Sequence, residues 1–196
     1  MIIGITGGIA TGKSAVSDYL KEKGYFIIDS DVLAHEALEK NSRCYKEVIS
    51  KFDCLTIDGE IDRKKLGKEV FNNKERKKEL ENIIHPYVFS RIEEEKAKTK
   101  DDLVFVVMPL LFECGYFNKV DSIICVVANE DVQIKRLMTR DNIDFEYAKK
   151  KISNQMPLCD KASRSDYIID NSGSISETYI EIDNVLAKLK KLEMEK

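Results

Sequence analysis

Gly7-Gly8-Ile9-Ala10-Thr11-Gly12-Lys13-Ser14 is the stretch whose reading decides the fold, and it meets G-x-x-x-x-G-K-[S/T] at every fixed position. Before it runs Ile2–Thr6, short and rich in β-branched residues. After it, Ser14–Leu20 has helical spacing. A strand, a glycine-rich turn and a helix in that order form the setting in which this motif holds polyphosphate. Glycines let successive backbone amides turn inward around phosphate oxygens, and the helix points its positive end at the same anion. The expected nucleotide-binding segment is therefore Gly8, Ala10, Thr11, Gly12, Lys13, Ser14 and Ala15. Lys13 would reach the β- and γ-phosphates, and Ser14 would offer its hydroxyl to a magnesium ion. The motif specifies a nucleoside triphosphate and leaves open what receives the phosphate.

Working outward, four more brief apolar runs read as strands covered on both faces: Tyr25–Ile28, Leu103–Val107, Ser122–Val127 and Tyr167–Ile169. Helical patterns separate them, so the expected fold is α/β, a P-loop NTPase-type three-layer α/β/α with a five-stranded parallel sheet. The interval between the second and third runs is far longer than one crossover helix needs. We expect residues 1–30, 101–129 and 165–196 to form the nucleotide-binding core. Residues 31–100 would be a helical insertion and 130–164 a second, smaller helical one. Within the first insertion, Leu80, Ile83, Ile84, Tyr87, Val88 and Ile92 recur at helical spacing. Pro86 breaks that pattern, so a kink or a helix start is expected there. Asp58-Gly59 reads as a turn. Ser174-x-x-Glu177 reads as a capping box opening a closing helix, whose apolar stripe is Tyr179, Ile182, Leu186 and Leu189.

With 196 residues, 43% hydrophobic and 34% charged, the chain can bury a core. A net charge of -3 argues against a nucleic-acid partner. The five cysteines (44, 54, 114, 125 and 159) show no Cys-x-x-Cys pair, which argues against a zinc site or a disulfide framework and for reduced thiols. No targeting segment is visible, and the longest apolar run, Leu103–Phe112, is too short to span a bilayer. A cytoplasmic protein with no membrane partner is the expectation, as a monomer or weak homo-oligomer.

A kinase acting on a small acceptor needs a group to take the acceptor's proton, a pocket for it, and cations for the transferring phosphoryl group. Asp29 and Asp31 follow the second strand, at the sheet edge where open α/β proteins bind ligands. Either could be a base, and either, with Ser30, could simply cap the Val32–Leu38 helix. Arg136 and Arg140 lie one helical turn apart, with forked guanidiniums suited to phosphate, in a region where a closing lid would be expected; a solvated helix face is the plainer alternative. His85 is one of only two histidines, and a lone histidine is more often structural than catalytic. Pro109 could shape a pocket wall or merely end a strand. Two GTPase-like fragments, Asn118-Lys119-Val120-Asp121 and Asp170-Asn171-Ser172-Gly173, occur in the reverse of the GTPase order, so a turn and a strand start are the expected meaning of the first.

Together these pieces resemble the dephospho-CoA kinase family. The resemblance rests on Thr6–Ser14, Asp29-Ser30-Asp31, Asp62–Gly67, His85-Pro86, Met108–Glu113, Gln133 with Arg136, Arg140 and Asp141, Gln155–Leu158, and Ser165–Gly173, in order along nearly the whole chain. It implies a five-stranded parallel core, a helical CoA-binding unit and a small lid. It implies ATP and Mg2+, and phosphorylation of the ribose 3′-hydroxyl of dephospho-CoA. By position it implies that Asp31, Lys13 and Arg140 are catalytic, that Arg136 joins the nucleotide site, and that Asp31, His85, Pro109 and Leu110 contact the acceptor. Ala10 stands where the family usually has glycine, Ser30 and Ser165 where it has alanine, and Met108 where it has valine. The rival readings are a kinase of the same build acting on a nucleoside or nucleoside monophosphate, a regulatory nucleotide switch, and a degenerate binding protein.

Overall fold

In the computed structural model, which describes residues 1–71 and 73–195, every one of the five apolar runs is a strand within one residue of its expected ends. They are β1 (Ile2–Gly7), β2 (Phe26–Asp29), β3 (Val104–Val107), β4 (Ser122–Val127) and β5 (Tyr167–Asp170), in the order β2-β3-β1-β4-β5 in one parallel sheet. Ile5 lies beside Val107 of β3 and Ile124 of β4, and Ile124 beside Tyr167 of β5. Parallel register puts the C-terminal ends on one edge. The phosphate-loop motif leaves β1 there, between β3 and β4, where connections depart in opposite directions.

Alternation along the strands explains the layers. Ile3 and Ile5, Phe105 and Val107, Ile124 and Val126, and Ile169 share one face. Against them pack Val16 and Leu20 of α1 (Lys13–Glu22) and Ile182, Val185, Leu186 and Leu189 of α9 (Ile175–Met194). Tyr19 stacks on Tyr179 with centroids 3.9 Å apart. The capping box at Ser174 and Glu177 is formed, and the anticipated stripe of α9 faces the core. Intervening residues serve the other face: Gly4 lies against Leu111 and Val120, and α8 (Leu158–Ser163) packs on β1 and β4. Between β4 and β5 come also α6 (Glu130–Asp141) and α7 (Phe145–Ser153), which share a small core of Ile134, Leu137 and Ala148.

The chain divides into two compact units, Met1–Ile28 with Lys100–Lys196, and Asp29–Thr99. The second holds α2 (Ser30–Glu36), α3 (Tyr45–Lys51), α4 (Arg63–Phe71) and α5 (Lys74–Lys96) around Ala37, Cys44, Val48, Phe52, Cys54, Leu66 and Ile83. Asp58-Gly59 is the expected turn, with Gly59 at φ 73° and its amide bonded to the Thr56 carbonyl. Pro86 does not start a helix. It lies inside the 23-residue α5, where Ile83, Val88 and Ile92 are buried on both sides of it. Proline disfavours a helix interior by removing one ladder donor, and burial along this face outweighs that local cost.

Candidate phosphoryl-transfer site

Gly12 is the N-cap of α1 at φ 95°, a left-handed conformation, and no side chain caps this helix. A Cβ on Gly12 would lie 1.8 Å from Asn171 Nδ2, so both the conformation and the space demand glycine. The first ladder bond of α1 runs from Val16 N to Gly12 O, and the amides ahead of it are the ones a helix turns toward an anion. Lys13 Nζ lies across the mouth of the loop, donating to Gly7 O at 3.2 Å and Gly8 O at 2.7 Å. Ser14 and Ala15 follow in the first turn, with Ser14 exposed. Ala10, in place of glycine, keeps a left-handed φ of 59°, and its methyl packs against the Ile134–Leu137–Ala148 cluster. That packing offsets part of the strain a Cβ meets there.

The loop is braced from behind. Thr11 Oγ1 donates to Gly8 O at 3.0 Å, and the Thr11 carbonyl accepts Asn171 Nδ2 at 2.8 Å. Asn171 is 4% exposed, and its Oδ1 accepts from Thr178 Oγ1 of α9 at 2.9 Å. Arg136 of α6 donates to Asn171 O at 2.9 Å and reaches Thr11 O at 3.4 Å. Gln133, one turn earlier, donates to Ala128 O while its buried Oε1 faces Gly8. Asn171 therefore ties the loop to α9. The signal was its place in Asp170-Asn171-Ser172-Gly173, but what it touches, 160 residues earlier in the chain, has no local signature.

Of the two arginines, α6 brings Arg136 to the loop and leaves Arg140 away from it. Arg140 Nε pairs with Asp141 Oδ1 at 2.7 Å, and Lys151 Nζ bonds the other carboxylate oxygen at 2.6 Å. These two cations, Arg140 first, hold the Asp141 carboxyl well down, at about 2. Pro109 and Leu110 follow β3 at the loop's edge of the sheet and are half-buried; the Pro109 carbonyl accepts Thr6 Oγ1 at 3.1 Å. The GTPase-like Asn118-Lys119 lies in a 3-10 turn at the opposite edge, where Asp121 Oδ2 accepts the Ile2 amide at 2.7 Å. It is a strand-start clamp and reads no base.

Within the unit Asp29–Thr99, Asp29 is the N-cap of α2, its Oδ1 accepting the Asp31 amide at 2.9 Å. Asp31 occupies the first turn with an exposed side chain. The cap of α2 is thus made by Asp29. His85 lies mid-α5, its ring stacked on Phe89 with centroids 5.8 Å apart, and burial pushes its pKa below the ordinary 6.5. None of the five cysteines is in a disulfide. Among the described residues no helix is long and apolar enough to cross a membrane.

Comparison with known proteins agrees along the length of the chain. The dephospho-CoA kinase family model matches residues 1–177. A dephospho-CoA kinase of Carboxydothermus hydrogenoformans is 44% identical over 194 residues, covering 96% of this chain and 94% of that one. Among solved structures, a Thermus thermophilus protein superposes with a TM-score of 0.85 at 34% identity, covering 96% of this chain and 97% of its own. The dephospho-CoA kinase from Campylobacter jejuni gives 0.71 at 33%, covering 97% of each chain. With the phosphate loop intact and the match running through both compact units, the chain belongs to the dephospho-CoA kinase family.

Proposed function

We propose that this chain transfers the γ-phosphoryl group of ATP to the ribose 3′-hydroxyl of dephospho-CoA, giving CoA and ADP. The 3′-oxygen attacks the γ-phosphorus. The bond from that phosphorus to the β,γ-bridging oxygen breaks, its electron pair leaves on ADP, and the hydroxyl proton passes to Asp31. The loop amides and Lys13 neutralise the charge that spreads over the phosphoryl oxygens. His85, Pro109 and Leu110 contact the acceptor. We assign α6–α8 as a lid in which Arg136 fixes the loop and Arg140 leaves Asp141 to meet the phosphates on closure.

The described residues contain no cluster of three or more His, Cys, Asp or Glu that could hold a metal. The exposed Ser14 hydroxyl, in the first turn of α1, would hold a magnesium ion brought with the nucleotide. Bound so, the ion would draw charge from the β- and γ-oxygens.

The observation that carries this reading is the phosphate loop, whose lysine and braced turn are complete in a chain that a dephospho-CoA kinase matches over 96% of its length. The test is ADP release with magnesium-ATP across dephospho-CoA, AMP, CMP, UMP and pantothenate. Turnover on dephospho-CoA alone is expected. Turnover on a nucleoside monophosphate, with none on dephospho-CoA, would move the assignment to the rival kinase class.

A further inference from the structure

Lys161 of α8 is the one charged residue among the described residues that is fully buried, at 0% exposure, and nothing in the reaction so far uses it. Burying an ammonium is costly unless it is paired and fully hydrogen-bonded. Its partners answer that cost: Nζ bonds the Pro109 carbonyl at 2.6 Å and pairs with Glu113 Oε1 at 2.8 Å. Glu113 Oε1 also accepts the Met156 amide at 3.2 Å, and the Lys161 carbonyl takes a bond from Ser165 Oγ. One ammonium therefore ties together the chain leaving β3 at Pro109–Glu113, the turn before α8, and α8 itself. Arg164, one turn from the end of this clamp, lies over the rings of Phe112 and Phe117 at 4.4 and 5.0 Å and closes its outer side.

This clamp is separate from the one on the phosphate loop. Asn171, Arg136 and Thr178 hold Thr11 and Gly12, while Lys161 and Glu113 hold the segment that begins at Pro109. The two meet at one bond that does not involve the lysine, Thr6 Oγ1, just ahead of the loop, donating to the Pro109 carbonyl at 3.1 Å. Two braces on two substrate-facing segments should be separable in kinetics.

We propose that Lys161 is a positioning residue for acceptor binding: it sets Pro109 and Leu110, through the Pro109 carbonyl and Glu113, in the place where they meet dephospho-CoA. The proposal rests on the function proposed above, since that reading makes Pro109 and Leu110 acceptor contacts. Replacing the ammonium with an apolar chain of similar length removes both bonds, so that the Pro109 carbonyl keeps the Thr6 hydroxyl and Glu113 Oε1 the Met156 amide, but nothing ties the two to α8 through one charge. The segment then relaxes while the nucleotide loop keeps its own brace.

The experiment compares Lys161→Met, Glu113→Gln and the double variant by steady-state ADP release, varying dephospho-CoA and ATP in turn. Lys161→Met is expected to raise KM for dephospho-CoA about tenfold or more, which is about 1.4 kcal/mol, with KM for ATP within about twofold of wild type. Glu113→Gln should raise the acceptor KM severalfold, and the double variant should be no worse than Lys161→Met, because both changes break one clamp. An unchanged acceptor KM in Lys161→Met, or parallel rises in both KM values, overturns the proposal, the latter by showing a scaffold role alone. Should Lys161→Met fail to fold, Glu113→Gln decides in the same way. Wild-type protein inert toward dephospho-CoA removes the function and this inference together, whereas active wild type with an unaltered Lys161→Met removes the inference alone.

Discussion

Lys13 and Gly12 are neighbours with opposite requirements. Lys13 contributes a charge, while Gly12 contributes the absence of a side chain. Lys13 Nζ bonds two loop carbonyls, which fixes its ammonium against the loop. Lys13→Ala should lower kcat by roughly two to three orders of magnitude, as loss of a preorganised donor does, read by ADP release. Gly12→Ala meets both a φ of 95° and Asn171 Nδ2, so nucleotide affinity should fall steeply while the rest of the sheet keeps its circular dichroism. Asp31→Asn should bind ATP as wild type does and lose roughly two to four orders of magnitude in turnover, because only acceptor deprotonation is touched. Wild-type turnover in that variant would contradict the role. At this scale the phosphate loop was plain in the sequence because its chemistry is local. Which of Asp29, Ser30 and Asp31 capped α2 could not be told from three consecutive capping residues, and the observed bond from the Asp31 amide to Asp29 answers it. Lys161 and Asn171 gave no comparable sign, since burial of a polar group depends on partners dozens of residues away.

Elements differ in what sets their ends. In α9 the reciprocal Ser174–Glu177 cap forms at the position its spacing indicated, far from the phosphate loop's lysine in sequence. Ser174→Ala should cost about 1 kcal/mol, lowering the melting temperature by about 2–4 °C in a chain of this size with kcat unchanged. Between α6 and α7 an ion-pair network adds to their shared apolar core, with Asp141 between Arg140 and Lys151. Its carboxyl is depressed from 3.8 to about 2, so the stabilisation is fully present above about pH 4 and is lost as pH falls through about 2. Urea titrations of wild type against Asp141→Asn should show a constant stability gap from pH 7 to about 5 that narrows below 4. A gap independent of pH would contradict the ion-pair account. Pro86 shows the limit of local rules: a proline signals a break only while nothing else holds the helix, and the buried face of α5 does so here.

For the whole molecule, the five strands and the parallel sheet were legible because strands covered on both faces carry near-continuous apolar runs. The strand order was not, since the sequence separation of β1 and β3 carries no trace of their pairing. The two arginines show the same divide for the site: their spacing placed both on α6, but only the fold brings Arg136 to Thr11 while Arg140 turns to Asp141. The central claim is that this molecule grips the polyphosphate of ATP at one glycine turn and moves its terminal phosphoryl group to a sugar hydroxyl. Phosphorus NMR of purified protein with magnesium-ATP and dephospho-CoA tests that claim most directly. The account predicts a new 3′-phosphomonoester resonance growing in equal amount with ADP. ADP accompanied only by inorganic phosphate, or ATP left intact, would contradict it.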